Sequence, residues 1–432
     1  MEMKRHPKVI AFLDKVCEPI KVKEMHNEIR LELTNHLQEI VEDRLDNQIE
    51  LEQAIEQAID QMGDPDKLGK QFHHVHRPKV EWRIIGLIGI LLVIGLIAMY
   101  ATELSGMPIY QPHLLITKSI YTILGIGLMV LCYYFDFRKL HTFSWFIYGF
   151  TLFTMLYSSI YGNQVNGQIW FVIGFTRINF TVISTFLFII SLAGIATMPK
   201  WKAYRCYTKV LILIVFPGIM YLLNHSYSNL LLYLAGAMLI AYITRSNKKE
   251  FLYLSGTVLG FGILMIICDR DYTFDRLSMY ISHYTGMTDN NFISIQSIKA
   301  VQDAGLWGKG LNSVSINMPN IPNQAIFTYL IYCFGWVIGI VICAIILLFL
   351  YQTARMAMAI KNPYGKLIVA GILVIFAVQF IWSIFMSVGL LPYLDYEFPF
   401  ISFGGIYFIF HLGLVGMMLS VYRKKNMIKS NA

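Results

Sequence analysis

The chain has 432 residues, of which 56% are hydrophobic and only 14% charged, with mean hydropathy +0.55 and formal net charge +8. That balance excludes an ordinary soluble globule, in which about a quarter of residues are charged. The charge is also uneven: residues 1–80 hold 12 Lys and Arg against 16 Asp and Glu, net −4, which leaves net +12 for the remainder. A topology pattern of basic loops explains this split, and nucleic-acid binding does not.

Residues 1–80 read as a cytoplasmic prefix domain of three short helices. Ile29, Leu33, Leu37, Ile40 and Val41 recur at helical spacing, with Glu28, Glu32, Glu39 and Glu42 on the opposite face. Leu51, Ala54, Ile55, Ala58, Ile59 and Met62 repeat the pattern up to Gly63, and Asp64-Pro65 supplies a cap and first-turn proline for a third helix. Glu32-Leu33, His36-Leu37, Ala54, Ala58 and Met62-Gly63-Asp64-Pro65 make the segment similar to the helical prefix ahead of some permeases and Gram-positive envelope proteins. Its acidic surface is expected to dock a cytoplasmic protein. His73, His74 and His76 lack a Cys or carboxylate at ligand spacing, so they read as an interfacial linker and no metal site is expected. With this polar prefix in front, no signal peptide is expected.

Residues 81–432 carry ten apolar stretches, near 84–101, 114–134, 141–159, 181–198, 209–224, 229–244, 251–268, 325–351, 366–389 and 404–422. Most have the length needed to cross a bilayer as helix. Lys118, near the outer end of the second, is expected to snorkel to the interface. Alternate loops hold Arg138 and Lys139; Lys200, Lys202, Arg205 and Lys209; Arg245, Lys248 and Lys249; Arg355, Lys361 and Lys366; and Arg423, Lys424, Lys425 and Lys429. The loops 102–113, 160–169, 225–228 and 390–402 carry no Lys or Arg, so both termini are expected in the cytoplasm and 269–324 forms a large outer loop. Cys17, Cys132, Cys206, Cys268, Cys333 and Cys343 have no paired spacing and suit apolar filling better than disulfides or zinc. The expected fold is all-α, a ten-span bundle with a small helical prefix in a bacterial cell membrane.

Four stretches stand out in the membrane region. They are Phe135-Asp136-Phe137-Arg138; Asn166-Gly167 with Trp170 and Gly174; Gln296-Ser297-Ile298 through Gly305-Leu306-Trp307-Gly308-Lys309-Gly310; and Gly389-Leu390-Leu391-Pro392 with Pro399-Phe400-Ile401-Ser402-Phe403-Gly404-Gly405. In order and in register, over about residues 84–425, they resemble the motifs of the SEDS family (shape, elongation, division and sporulation), which includes FtsW, RodA and SpoVE. The resemblance implies polymerisation of glycan strands from lipid II or a related polyprenyl-linked precursor, beside a class B penicillin-binding protein. It calls for no organic cofactor and leaves a divalent cation open.

Glycosyl transfer of this kind needs a carboxylate near the attacking 4-hydroxyl and cations around the pyrophosphate leaving group. The family takes its carboxylate from a Pro-Glu-x-x-Thr-Asp-Phe-Ile-Phe motif before the eighth span. Counted without gaps from Gly335 back to Pro319, Asn320 stands at the family's Glu and Gln324 at its Asp. Glutamine hydrogen-bonds but takes no proton. The family's Gln-Pro-Ser-Glu…Lys stretch falls on Asn179-Phe180-Thr181-Val182…Thr185, again without acid or base, and Gln168-Ile169 stand where basic residues are usual.

Substitute acids are available in Asp303 and, inside a matched motif, Asp395 and Glu397; Asp269, Asp271, Asp275 and Asp289 are further loop acids. Arg276 and Lys309 match family positions that are commonly basic. With Trp170 and Lys118 they are the candidate substrate contacts, and Arg177 is the other outward cation. Ser402 has no His and acid partner in view and reads as a structural hydroxyl. Three functions stay open: a glycosyltransferase with a displaced acid, a catalytically silent partner of a wall synthase, and a carrier of a polyprenyl-linked substrate.

Overall fold

The computed structural model describes all residues except 1–2, 4–5, 21–25, 77–79, 106–112, 166–167, 174–175, 246–247, 269–291, 312–320 and 426–432. Two compact units result, one of Met1–Val80 together with Arg423–Ala432 and one of Glu81–Tyr422.

The first unit has four helices where three were expected: α1 Pro7–Cys17, α2 His26–Asp46, α3 Leu51–Met62 and α4 Pro65–His76. The unexpected one is α1, begun by Pro7 in its first turn. Val9, Phe12, Leu13 and Val16 lie on one face of it, and they pack with Ile29, Leu33, Leu37, Ala54, Ile55 and Ala58 into a small core. The pattern is short and interrupted by Asp14-Lys15, which obscures it in the sequence.

The second unit contains α5 Trp82–Leu104, α6 Leu114–Tyr134, α7 Ser144–Tyr161, α8 Phe180–Thr197, α9 Cys206–Leu223, α10 Tyr227–Thr244, α11 Lys248–Cys268, α12 Phe292–Asp303, α13 Ile326–Met358, α14 Pro363–Ser387 and α15 Gly405–Arg423. Among the described residues, eight of these (α5, α6, α8, α9, α10, α13, α14 and α15) are long and apolar enough to cross a membrane. Helices α7 and α11 occupy the other two expected positions. Their aromatic and hydroxyl residues, or the opening Lys248-Lys249-Glu250, lower their mean hydropathy. A small antiparallel sheet interrupts the all-α pattern between α7 and α8. It is built from β1 Asn163–Val165, β2 Gln168–Ile173 and β3 Thr176–Ile178 in the order β1-β2-β3. Its first two strands are separated by Asn166-Gly167, a dipeptide favoured in two-residue hairpins.

Helix α13 is not continuous. Gly335, at φ 87° and ψ 174°, breaks it into a buried first part and a longer span. A broken helix frees backbone groups that a membrane interior cannot hydrate. The loop 305–310 satisfies them here: the Lys309 and Gly310 N–H groups donate to the carbonyls of Tyr332 (2.9 Å) and Cys333 (3.1 Å), while Trp336 N–H donates back to Gly305 O (3.1 Å). The motif glycines make this approach possible, since a Cβ on Gly335 would run into Leu306 O and one on Gly308 into Cys333 O. Gly335 also occupies backbone space closed to other residues, which costs about 1–3 kcal/mol before any clash. Gly335→Ala is therefore expected to lower the thermal unfolding midpoint in detergent by several degrees, and an unchanged midpoint would contradict this role of the 305–310 loop.

Candidate functional site

At the end of the bundle opposite the basic loops, the segment Val388–Gly404 between α14 and α15 is stitched to Ile321–Ala325, which leads into α13. Phe403 N–H donates to Pro322 O (2.8 Å), and the Ser402 hydroxyl donates to Asn323 O (2.5 Å) while accepting from Phe398 N–H (2.8 Å). Gly404 N–H reaches Asn323 Oδ1 at 3.4 Å, and Phe398 stacks on Phe327 with ring centroids 5.1 Å apart. Two more bonds fix the loop's flanks: Trp382 Nε1–H to Pro392 O (3.1 Å) and Tyr396 O–H to Ser228 O (2.7 Å). Pro399 is buried beneath it.

Lys118 lies beneath this loop with none of its surface exposed. Its ammonium donates to Ser402 O at 2.5 Å and Phe400 O at 3.4 Å and stands 3.3 Å over the Phe408 ring. Phe400 takes φ 67° to turn its carbonyl inward. Burying a cation is costly unless dipoles and opposite charge compensate it. Two carbonyls and an aromatic face supply part of that compensation here.

The loop also carries two carboxylates. Asp395 is exposed, and its Oδ1 accepts a hydrogen bond from Gln324 Nε2 at 2.6 Å. Glu397 is half-buried beside Gly404, where an added Cβ would meet its Oε2 at 2.9 Å. Desolvation lifts the Glu397 carboxyl to about 7; Lys118 pulls it down and Asp395 adds to the rise. Gly404, at φ 62°, thus provides both a tight bend and room for the carboxylate.

A neutral network borders these acids. Asn179 caps α8 by accepting from Thr181 N–H (3.0 Å), Thr181 and Ser226 hydroxyls pair at 2.9 Å, and Asn229 donates to Ser226 Oγ at 2.8 Å. The Asn179 N–H in turn donates to the Tyr407 hydroxyl at 3.0 Å, which ties α8 to the start of α15.

The structure therefore gathers Gln324, Asp395, Glu397, Lys118, Ser402, Gly404 and Gly405 around one loop. It does not bring Lys309 or Asp303 to them. Lys309 is exposed, its N–H bonded to Tyr332 O eight residues beyond Gln324 in sequence, and Asp303 is exposed at the end of α12. Trp170 sits partly buried on β2, opposite Asn163. Arg276, Pro319 and Asn320 lie outside the described residues, as do Asp269, Asp271, Asp275, Asp289 and the Arg177 side chain. Among the described residues, no group of three or more His, Cys, Asp and Glu is placed to hold a metal ion. Asn323 and Tyr407 were missed in the sequence. Asn323 had only its place next to Gln324 to signal it, and Tyr407 had no signal at all.

A bundle with this many long apolar helices is the fold of a polytopic membrane protein. Residues 78–427 match the FtsW/RodA/SpoVE family, described as "cell cycle protein", and the chain belongs to it. It is 26% identical over 189 residues to stage V sporulation protein E of Bacillus subtilis (43% of this chain, 51% of that one). To the probable peptidoglycan glycosyltransferase FtsW of Coxiella burnetii it is 23% identical over 352 residues (78% and 94%). The chain spans about half the length of several curated relatives it matches. Among solved structures, it resembles one from work on a peptidoglycan synthase complex that coordinates polymerization and crosslinking, with TM-score 0.64 and 18% identity over 80% of this chain and 98% of that one. Thermus thermophilus RodA follows, at TM-score 0.59 and 18% identity over 80% and 97%.

Removing the Ser402 hydroxyl leaves the buried Phe398 N–H unpaired, at a cost of about 1–3 kcal/mol. Ser402→Ala is accordingly expected to lower the thermal midpoint, and no change would contradict its part in stitching the two segments.

Proposed function

We propose that the chain is a glycosyltransferase of peptidoglycan assembly that polymerises lipid II or a related polyprenyl-linked precursor, using the Asp395 carboxylate where its relatives use the acid aligned with Gln324. One observation carries this reading: Gln324 and Asp395 are in hydrogen contact at 2.6 Å. The acid lost from one side of the site is thereby matched by one from the facing loop, held in place by the glutamine that replaced it.

In this reading Asp395 takes the proton from the acceptor 4-hydroxyl as its oxygen attacks the donor sugar, and the polyprenyl pyrophosphate leaves. Gln324 keeps the carboxylate oriented toward the acceptor hydroxyl. Lys309 and Arg276 are the proposed pyrophosphate contacts, and Trp170 a sugar or headgroup contact. Both termini face the cytoplasm, a class B penicillin-binding protein is the membrane partner, and residues 1–80 dock a cytoplasmic protein.

The silent-partner reading is separated by assay. Purified protein, alone and with a class B partner, is given lipid II, and glycan strands are resolved by gel. Wild type is expected to polymerise, with Asp395→Asn slower by on the order of 10²-fold or more. Inactive wild type combined with active Gln324→Asp would identify a degenerate synthase, and silence from both would favour a binding or carrier role.

A further inference from the structure

Lys118 is a residue the proposed transfer chemistry does not use. It is fully buried, it comes from α6, and it reaches a loop 282–284 residues further along the chain. Its contacts are not those of a substrate-binding cation, since the two carbonyls and the Phe408 ring occupy it from within the protein. The groups that feel its charge are Glu397 on the loop and His411 on α15, and Glu397 in turn lies close to Asp395 and Tyr407.

We propose that Lys118 is a positioning residue, whose buried ammonium clamps the Phe400 and Ser402 carbonyls so that Asp395 stays opposite Gln324. The loop is bonded to Lys118 at Ser402, and the same residue is bonded to Asn323, the neighbour of Gln324. Movement of the clamp is transmitted to both partners of the Gln324–Asp395 contact. Glu397 sits in the bend that Gly404 opens, three and five residues from the clamped carbonyls of Phe400 and Ser402 along one short loop.

Electrostatics gives the proposal a signature that packing alone would not produce. Lys118 lowers the Glu397 carboxyl, which burial alone would hold higher than about 7. Removing the positive charge must therefore raise the titration midpoint of Glu397, and loosening the clamp should slow polymerisation by displacing Asp395 from Gln324. The effect on activity rests on the glycosyltransferase reading; the effect on titration does not.

The test follows carboxyl protonation by infrared difference spectroscopy on the full-length protein in detergent, with Glu397→Gln assigning the band. Wild type is expected to show a Glu397 midpoint near 7. Lys118→Gln, which keeps a donor for the carbonyls but removes the charge, is expected to raise it by about one unit, and Lys118→Arg to leave it nearly unchanged. In the lipid II assay Lys118→Gln should polymerise more slowly than wild type, and Lys118→Arg should retain more of the rate. An equal midpoint in wild type and Lys118→Gln would overturn the proposal. So would a wild-type Glu397 that titrates in the ordinary carboxyl range, a result that needs no variant of Lys118 to fold. A shifted band in a protein without polymerase activity would keep this inference and sink the glycosyltransferase reading alone.

Discussion

Phe400 and Ser402 turn their carbonyls inward onto the ammonium of Lys118, and the arrangement of the site depends on that contact. A cation with no exposed surface needs fixed partners, and the 388–404 loop supplies them by adopting a left-handed residue at Phe400 and at Gly404. Once the loop is set, Ser402 reaches Asn323, Phe403 reaches Pro322 and Asp395 meets Gln324. One buried charge thus organises two segments about 80 residues apart. The close packing of Gly95 against the Phe400 and Ile401 backbone, where a Cβ would approach within 2.9–3.1 Å, leaves that loop little room to shift.

Around this clamp, polar side chains without charge hold the helix ends together. Asn179, Thr181, Ser226 and Asn229 satisfy one another, and Tyr407 connects them to α15. Such a network fixes position but transfers no proton at neutral pH. The acid–base capacity of this face is concentrated in Asp395 and Glu397, which differ in environment: one exposed and held by an amide, the other half-buried beside a cation. Carboxylates separated in this way can serve different roles at one pH.

The helices were legible because a bilayer imposes long apolar runs, and the runs starting near 84, 114, 181 and 366 became helices with nearly the expected limits. The break at Gly335 was not legible, because the flanking residues are apolar on both sides and the compensating bonds come from a loop 25–30 residues earlier. Helix α1 was missed because its apolar face is only four residues long. At the site, Asp395 and Glu397 drew attention because acids are out of place in a motif of small and apolar residues. The Gln324–Asp395 contact and the carbonyls that seat Lys118 could not be read, since these pairs lie 71 and 282–284 residues apart in sequence. Lys118 itself was expected at the interface, as chain position alone suggests for a lysine near a span's end. The structure places it inward, because carbonyls and an aromatic ring await it there.

The central claim is that the working carboxylate has moved across a contact while the site has stayed in place. A charge swap tests it most directly: Gln324→Asp combined with Asp395→Gln, compared with each single change in lipid II polymerisation. The account predicts that Asp395→Gln is inactive and that the swapped pair regains most of the wild-type rate, because either side of a 2.6 Å contact can present the acid. An active Asp395→Gln, or a swap that stays silent in a protein that folds as stably as wild type, would contradict it.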